Sequence, residues 1–233
     1  MRQNSRTCPD FLPMNDHRSR FLQLALRADA LRFGDFTLKS GRQSPYFFNA
    51  GLFNSGALLA ELATCYADAI EAHGVGFDLL FGPAYKGIPL ATAVACEYAR
   101  RGRDLPVAFN RKEAKAHGEG GTLIGAPLAG KRVLIVDDVI TAGTAIREAL
   151  AIIRDAGGVA AGIVIALDRQ EAVDPAVSRR SAAQTVADEH GLPVVPVASL
   201  SDLLEFAAGN AQLVAQRERL LAYRAAYGSH TAA

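Results

Sequence analysis

Apolar and polar positions change period repeatedly along the chain, and each change predicts an element. Phe21 to Leu31 recurs at helical spacing. Phe36 to Lys39 and Ser44 to Asn49 alternate on either side of Ser40 and Gly41, which predicts a hairpin with Pro45 at an edge-tolerant position. Leu58 to Ile70 reads as an amphipathic helix, Leu79 to Phe81 as a buried strand, and Ile88 to Arg100 as a helix ending at Gly102. Val107 to Phe109 is a further strand, whereas Arg111 to Thr122 is so charged and glycine-rich that it reads as a mobile loop. Val133 to Val136 follows a Gly130-Lys131 turn and is apolar throughout, the pattern of a strand buried on both faces. After Thr144 the spacing turns helical, with Ala145, Ile146, Ala149, Leu150 and Ile153 on one side. A strand over Ile163 to Leu167 ends at Asp168-Arg169. Ala182 to Glu189 follows as a helix, Val194 to Val197 as a strand, and Leu203 to Phe206 and Leu213 to Tyr227 as helices. Strands alternating with helices predict an α/β fold around a parallel sheet, with its site at the C-terminal ends of the strands and the early hairpin as a hood over them.

Composition narrows this picture. The chain has 233 residues, half of them hydrophobic, enough for one well-filled domain. No repeat, low-complexity tract or linker divides it, so 17–233 reads as a single domain. Residues 1–16 lack an apolar signal core and read as a disordered extension, with Met14 an alternative start. A net charge of +1 gives no global field for nucleic acid or an anionic membrane, and no apolar run is long enough to span one. Three cysteines without paired spacing suit a reducing cytoplasm, and Cys65 and Cys96 read as packing residues in apolar helical runs. Among 25 Lys and Arg only five are lysines, and Lys39, Lys86, Lys112 and Lys115 all fall in the stretches that carry candidate chemistry. Lysine is a compact charge able to follow a phosphate, where arginine is a rigid fork.

Three stretches carry that chemistry. Asp137 and Asp138 end the central strand, and Thr141-Ala142-Gly143-Thr144 then offers amides, two hydroxyls and an unhindered glycine where a helix presents its positive end. Such a turn can hold a phosphate monoester, and paired carboxylates can accept hydrogen bonds from a polyol such as ribose. An acidic turn with a threonine-capped helix gives the same letters. Gly82-Pro83-Ala84-Tyr85-Lys86-Gly87 also joins a strand to a helix and can bind an anion, but it has neither Walker nor dinucleotide spacing. Arg111, Lys112, Lys115 and His117 place cations in a glycine-flanked segment, either solvated surface or a lid over a departing anion.

Val-Leu-Ile-Val-Asp-Asp-Val-Ile-Thr-Ala-Gly-Thr-Ala at 133–145 resembles the 5-phosphoribosyl 1-diphosphate (PRPP) motif of type I phosphoribosyltransferases. Residues 37–42, 44–49, 81–89 and 110–115 narrow the resemblance to the bacterial orotate phosphoribosyltransferases, from about His17 to Tyr227. The resemblance implies the type I fold with its hood, Mg²⁺-dependent transfer of phosphoribosyl from PRPP to orotate, and a homodimer with shared sites in which Lys112 crosses. PRPP would be bound by Lys39, Tyr85, Lys86, Arg111, Lys112, Lys115, His117, Asp137, Asp138, Val139, Ile140, Thr141, Ala142, Gly143, Thr144 and Ala145. Of these, Asp137, Asp138, Lys112, Lys115 and His117 would also serve catalysis. Orotate would meet an aromatic face with adjacent amides at Phe47 and Phe48, Thr141, and Arg169, whose fork matches a carboxylate; simple hairpin packing of the two rings and a surface ion pair of Arg169 with Asp168 or Glu171 are the other readings. A cis peptide is implied at Ala84–Tyr85. No protein cage for the metal is implied, since Mg²⁺ keeps waters and substrate oxygens. Transfer to another base, or PRPP binding by a regulator without chemistry, are the competing readings.

Overall fold

A computed structural model describes residues 16–38, 40–115, 121–174 and 177–229, with the side chains of 113–115, 121 and 173–174 outside the description. Helix α1 (His17–Arg27) leads into an antiparallel hairpin of β1 (Leu31–Thr37) and β2 (Gln43–Phe48). Next come α2 (Gly56–His73), β3 (Leu79–Gly82), α3 (Gly87–Arg100), β4 (Val107–Lys115) and β5 (Gly121–Gly125). The central unit is β6 (Arg132–Asp137), α4 (Thr144–Asp155) and β7 (Val159–Asp168). A small hairpin of β8 (Ala172–Asp174) and β9 (Ser178–Ser181) precedes α5 (Ala182–His190), β10 (Val194–Ser199), α6 (Leu200–Ala208) and α7 (Val214–Tyr227).

Six strands form the main sheet in the order β10-β7-β6-β3-β4-β5, parallel except for β5, which runs antiparallel to β4. Alternation along each central strand feeds two cores. Leu80, Leu134, Val136, Val164 and Ala166 join the core shared with residues of α1, α2, α3, α6 and α7. Leu79, Phe81, Val133, Ile135, Ile163 and Ile165 join the core with Ile146, Ala149 and Ile153 of α4 and Val186 of α5. The middles of β3, β6 and β7 are apolar at successive positions because helices cover both faces. Among the described residues no helix is long and apolar enough to cross a membrane.

Several expectations are corrected. The first helix ends at Arg27, and Leu31 instead opens β1; its burial continues the apolar spacing although the backbone has changed. The segment 111–122 is not one loop: β4 runs to Lys115 and pairs back with β5 from Gly121, so only 116–120 lie outside the described residues. Cys65 is buried but Cys96 is exposed on α3, and Ala145 is exposed at the start of α4, where the helix has not yet turned its apolar side to the sheet. Residues 1–15, including Met14, lie outside the described residues.

One close approach fixes the C-terminal end of β3. A Cβ at Gly82 would sit 2.3 Å from Gly87 O and 2.9 Å from Ile88 N, and one at Gly87 would sit 2.7 Å from Val136 O. Gly82→Ala is therefore expected to destabilise the fold by about 2 kcal/mol or more, since backbone cannot yield as a flexible side chain does. Urea unfolding measures it; a loss under about 0.5 kcal/mol, ordinary for a surface substitution, would show that the loop relaxes without resistance.

Candidate active site

The C-terminal ends of β3, β6 and β7 lie side by side and carry most of the expected site. Val133 to Val136 of β6 are fully buried, and the strand delivers Asp137 and Asp138, each only 7% exposed. The backbone of this junction is held from two sides. Tyr66 Oη donates to Asp137 O at 2.8 Å, and Ala166 N of β7 donates to Asp138 O at 2.9 Å. The carboxylates accept from the chain just beyond them: Asp138 N donates to Asp137 Oδ1 at 2.9 Å and Val139 N to Asp138 Oδ1 at 2.9 Å. Lys86 Nζ, from the neighbouring strand end, donates to Asp138 Oδ2 at 2.6 Å. Burial, and then the charge of Asp138, push the Asp137 carboxyl up to about 7.

Beyond the acids the chain turns into α4. Gly143 caps the helix at φ 74°, and a Cβ there would lie 3.0 Å from Val186 Cγ2 and 3.1 Å from Arg147 Nη1. Arg147 Nη1 donates to Ala142 O at 2.8 Å while its Nη2 pairs with Glu189 at 2.9 Å, so the turn's outer carbonyl is occupied. Among the described residues, the amides of Thr141, Ala142, Gly143 and Thr144 have no acceptor, and Thr141 and Thr144 are exposed. Unpaired amides at a helix N-terminus form a site for a phosphate-like anion.

The loop from Gly82 to Gly87 meets the acids through Lys86. Its Ala84–Tyr85 peptide is cis, and Ala84 N donates to Asn110 Oδ1 at 2.9 Å. Tyr85 is 68% exposed, and Lys112 Nζ lies 5.2 Å from its ring centroid. Pairing of β4 with β3 stops at Phe109, so the arm carrying Arg111 and Lys112 projects past the sheet. Lys39 and His117 lie outside the described residues, as does the side chain of Lys115.

On the far side, Phe47 and Phe48 do not present one aromatic face. Neighbours on a strand point to opposite sides. Phe48 is buried against Phe21 and Phe53, whereas Phe47 stacks on Phe36 at 5.5 Å. Arg169, just past β7, does not lie free on the surface. Its Nε donates to Glu171 Oε1 at 2.8 Å, and its guanidinium sits 4.9 Å from the Tyr46 ring centroid.

Asn110, Tyr66 and Tyr46 are site-supporting residues to which sequence reading gives no role, whereas Glu171 is one of the two acids it offers Arg169 as an ion-pair partner. Tyr66 and Tyr46 carry no local signal, since their partners lie far along the chain. Asn110 sits beside residues that were selected, and adjacency was the one available hint. Among the described residues no three His, Cys, Asp or Glu side chains converge as a metal cage.

A model of the phosphoribosyl transferase domain matches residues 51–186. An orotate phosphoribosyltransferase of Xanthomonas euvesicatoria is 76% identical over 218 residues, 94% of this chain and 99% of the relative. One from Stenotrophomonas maltophilia is 73% identical over 215 residues, 92% of this chain and 98% of that protein. Among solved structures, orotate phosphoribosyltransferase of Francisella tularensis is 42% identical with a TM-score of 0.80, covering 90% of this chain and 99% of that one.

The raised Asp137 carboxyl has a signed consequence for stability. A group titrating higher folded than unfolded favours the fold fully below its unfolded value of about 4, and that contribution is lost as pH rises through about 7. Asp137→Asn, neutral throughout, should therefore raise the melting temperature at pH 8 by several degrees and change it far less at pH 4. An equal shift at both pH values would mean that the carboxylate is not held against its charge.

Proposed function

The chain belongs to the orotate phosphoribosyltransferase family and transfers the 5-phosphoribosyl group of PRPP to orotate, giving orotidine 5′-monophosphate and diphosphate in pyrimidine biosynthesis, and we propose that it does so as a cytoplasmic, Mg²⁺-dependent homodimer through the residues gathered at the ends of β3, β6 and β7. The observation carrying the residue roles is the buried acid pair set between two anion-binding turns, with Lys86 Nζ 2.6 Å from Asp138.

The unpaired amides of Thr141, Ala142, Gly143 and Thr144, with the two hydroxyls, hold the 5-phosphate at the positive end of α4. Val139, Ile140 and Ala145 shape that turn. Asp137 and Asp138 accept from the ribose hydroxyls, and Lys86 then exchanges its carboxylate partner for the diphosphate together with the exposed Tyr85 loop. Arg111, Lys112, Lys115, His117 and Lys39 supply further cations to the diphosphate. Two carboxylates without a third donor suit Mg²⁺ that arrives with substrate oxygens and water; when bound, it neutralises charge on the diphosphate. N1 of orotate bonds to C1 of the ribose as diphosphate departs with the C–O electron pair, and the proton that N1 gives up is taken by the departing diphosphate. Positive charge grows on the ribose ring and meets the acid pair below it. Orotate lies under the hood at Phe47, beside Thr141, with its carboxylate on Arg169, while Phe48 anchors that strand in the core.

Turnover of orotate and PRPP tests the residue roles. Arg169→Lys should raise KM for orotate about tenfold or more, because a point charge replaces a bidentate fork. A KM within twofold of wild type would remove Arg169 from the carboxylate site.

The projecting arm of β4 supports a site shared between two chains, with Lys112 reaching the neighbour's diphosphate. A variant lacking Lys112 and Lys115 and one lacking Asp137 and Asp138 should each be nearly inactive as homodimers. Random reassembly makes about half the dimers mixed, with one intact site each, so activity should recover to about a quarter of wild type. Lys112 acting beside its own Tyr85 predicts no recovery, because neither chain then has a complete site.

A further inference from the structure

The turn after β7 is held more firmly than a surface turn requires. Asp168 Oδ1 accepts from Gln170 N at 2.9 Å, and Gln170 sits at φ 49°, a left-handed conformation that costs a non-glycine residue about 1 kcal/mol or more. Gln170 Oε1 accepts from Ser201 N at 2.9 Å and Ser201 Oγ at 2.7 Å, tying the turn to α6. Gln170 O accepts from Ser229 N at 2.7 Å, and Glu171 forms an antiparallel bridge with Gly228 just past α7. From the hood, Arg42 Nη1 donates to Ala172 O at 2.9 Å. Three regions remote in sequence thus fix the four residues that begin with Arg169.

The side chains repeat that pattern. Arg169 lies over the fully buried Tyr46, whose ring meets Tyr223 of α7 edge-on at 6.2 Å. Glu171 Oε1 accepts from Arg169 Nε at 2.8 Å; Nη2 lies 2.6 Å from the same oxygen but without the alignment of a hydrogen bond. Tyr223 adjoins both Glu171 and Ser44. Arg169 Nη2, Tyr46 Oη and Tyr223 Oη are all buried without an aligned partner. Such groups are few in folded proteins, and here three gather around one guanidinium.

We propose that Glu171 and Tyr223 are positioning residues for orotate selection: Glu171 occupies the Nε/Nη2 edge of Arg169 and Tyr223 adjoins Glu171 from α7, so that the fork meets the substrate carboxylate from its remaining side, which carries Nη1. The proposal rests on Arg169 being the carboxylate partner. It makes the C-terminal helix a determinant of which base is accepted.

Steady-state kinetics against each substrate separately test it. Glu171→Ala should raise KM for orotate about tenfold while kcat and KM for PRPP stay within about twofold, since only the fork has lost its orientation. Glu171→Gln keeps an acceptor oxygen for Nε and should recover most of the loss. Tyr223→Phe, which removes one hydroxyl and keeps the ring packing, should raise KM for orotate about threefold. In an Arg169→Ala background, Glu171→Ala should add nothing, because it acts through the missing guanidinium. A lower orotate KM in Glu171→Ala would mean that Glu171 competes with the substrate, and losses that multiply in the double variant would mean that it acts independently; either result overturns the proposal. Should Glu171→Ala fail to fold, an unchanged orotate KM in Tyr223→Phe overturns it instead. An unchanged orotate KM in Arg169→Ala alone is a separate outcome, which removes the carboxylate assignment beneath it.

Discussion

Two carboxylates held side by side at the end of a fully buried strand set the terms for the rest of the structure. Each is 7% exposed, so neither can be solvated as a surface carboxylate is, and the charge of Asp138 adds to the cost of ionising Asp137. What offsets this is local and directional: the amides of Asp138 and Val139 donate into the pair, and Lys86 closes on Asp138. The remaining imbalance shows in Asp137, whose carboxyl is displaced to about 7. A site short of positive charge when empty is complementary to a ribose that becomes positive as diphosphate leaves. Interaction that strengthens only in that passing state lowers the barrier without tightening the ground state.

That arrangement requires neighbours to come close. The loop after β3 must approach β6 near enough that Gly82 and Gly87 have no room for a methyl group, because only then does Lys86 reach Asp138. The turn before α4 must reverse at positive φ, so that four amides face outward while Arg147 takes the Ala142 carbonyl behind them. Adjacent parallel strands bring the two anion-binding turns to the same edge, one on each side of the acids. The distance between the turns is thus a property of the sheet.

The base side is built differently. There the hood, the turn after β7 and the C-terminal helix come from opposite ends of the chain, and they meet around Tyr46, Arg169, Glu171 and Tyr223. In the proposed assignment, phosphate recognition rests on short strand-to-helix units and base recognition on closure of the whole fold, a division that would let one scaffold keep its phosphoribosyl chemistry while other segments select the ring.

Local pattern by itself determined the α/β class, the central strand with its acid pair, the two strand-to-helix turns and the early hairpin, because each rests on interactions between residues near in sequence. Continuous apolar runs such as Val133 to Val136 signal burial on both faces whatever covers them, and Asp137-Asp138 followed by Thr141 to Thr144 signals its chemistry by spacing. Where periodicity alone was followed it ran past true ends: Leu31 continued a helical spacing from within a strand, and the charged stretch after Asn110 concealed the extension of β4 and its pairing with β5. Tertiary structure alone decided that Phe47 and Phe48 part to opposite sides, that Cys96 is exposed, that Asp137 is pushed up while Lys86 sits against Asp138, and that of the two nearby acids Glu171 is the one paired with Arg169. Each of these depends on which distant residue arrives at a given point, and on how much water its arrival removes, neither of which is written in the order of neighbouring residues.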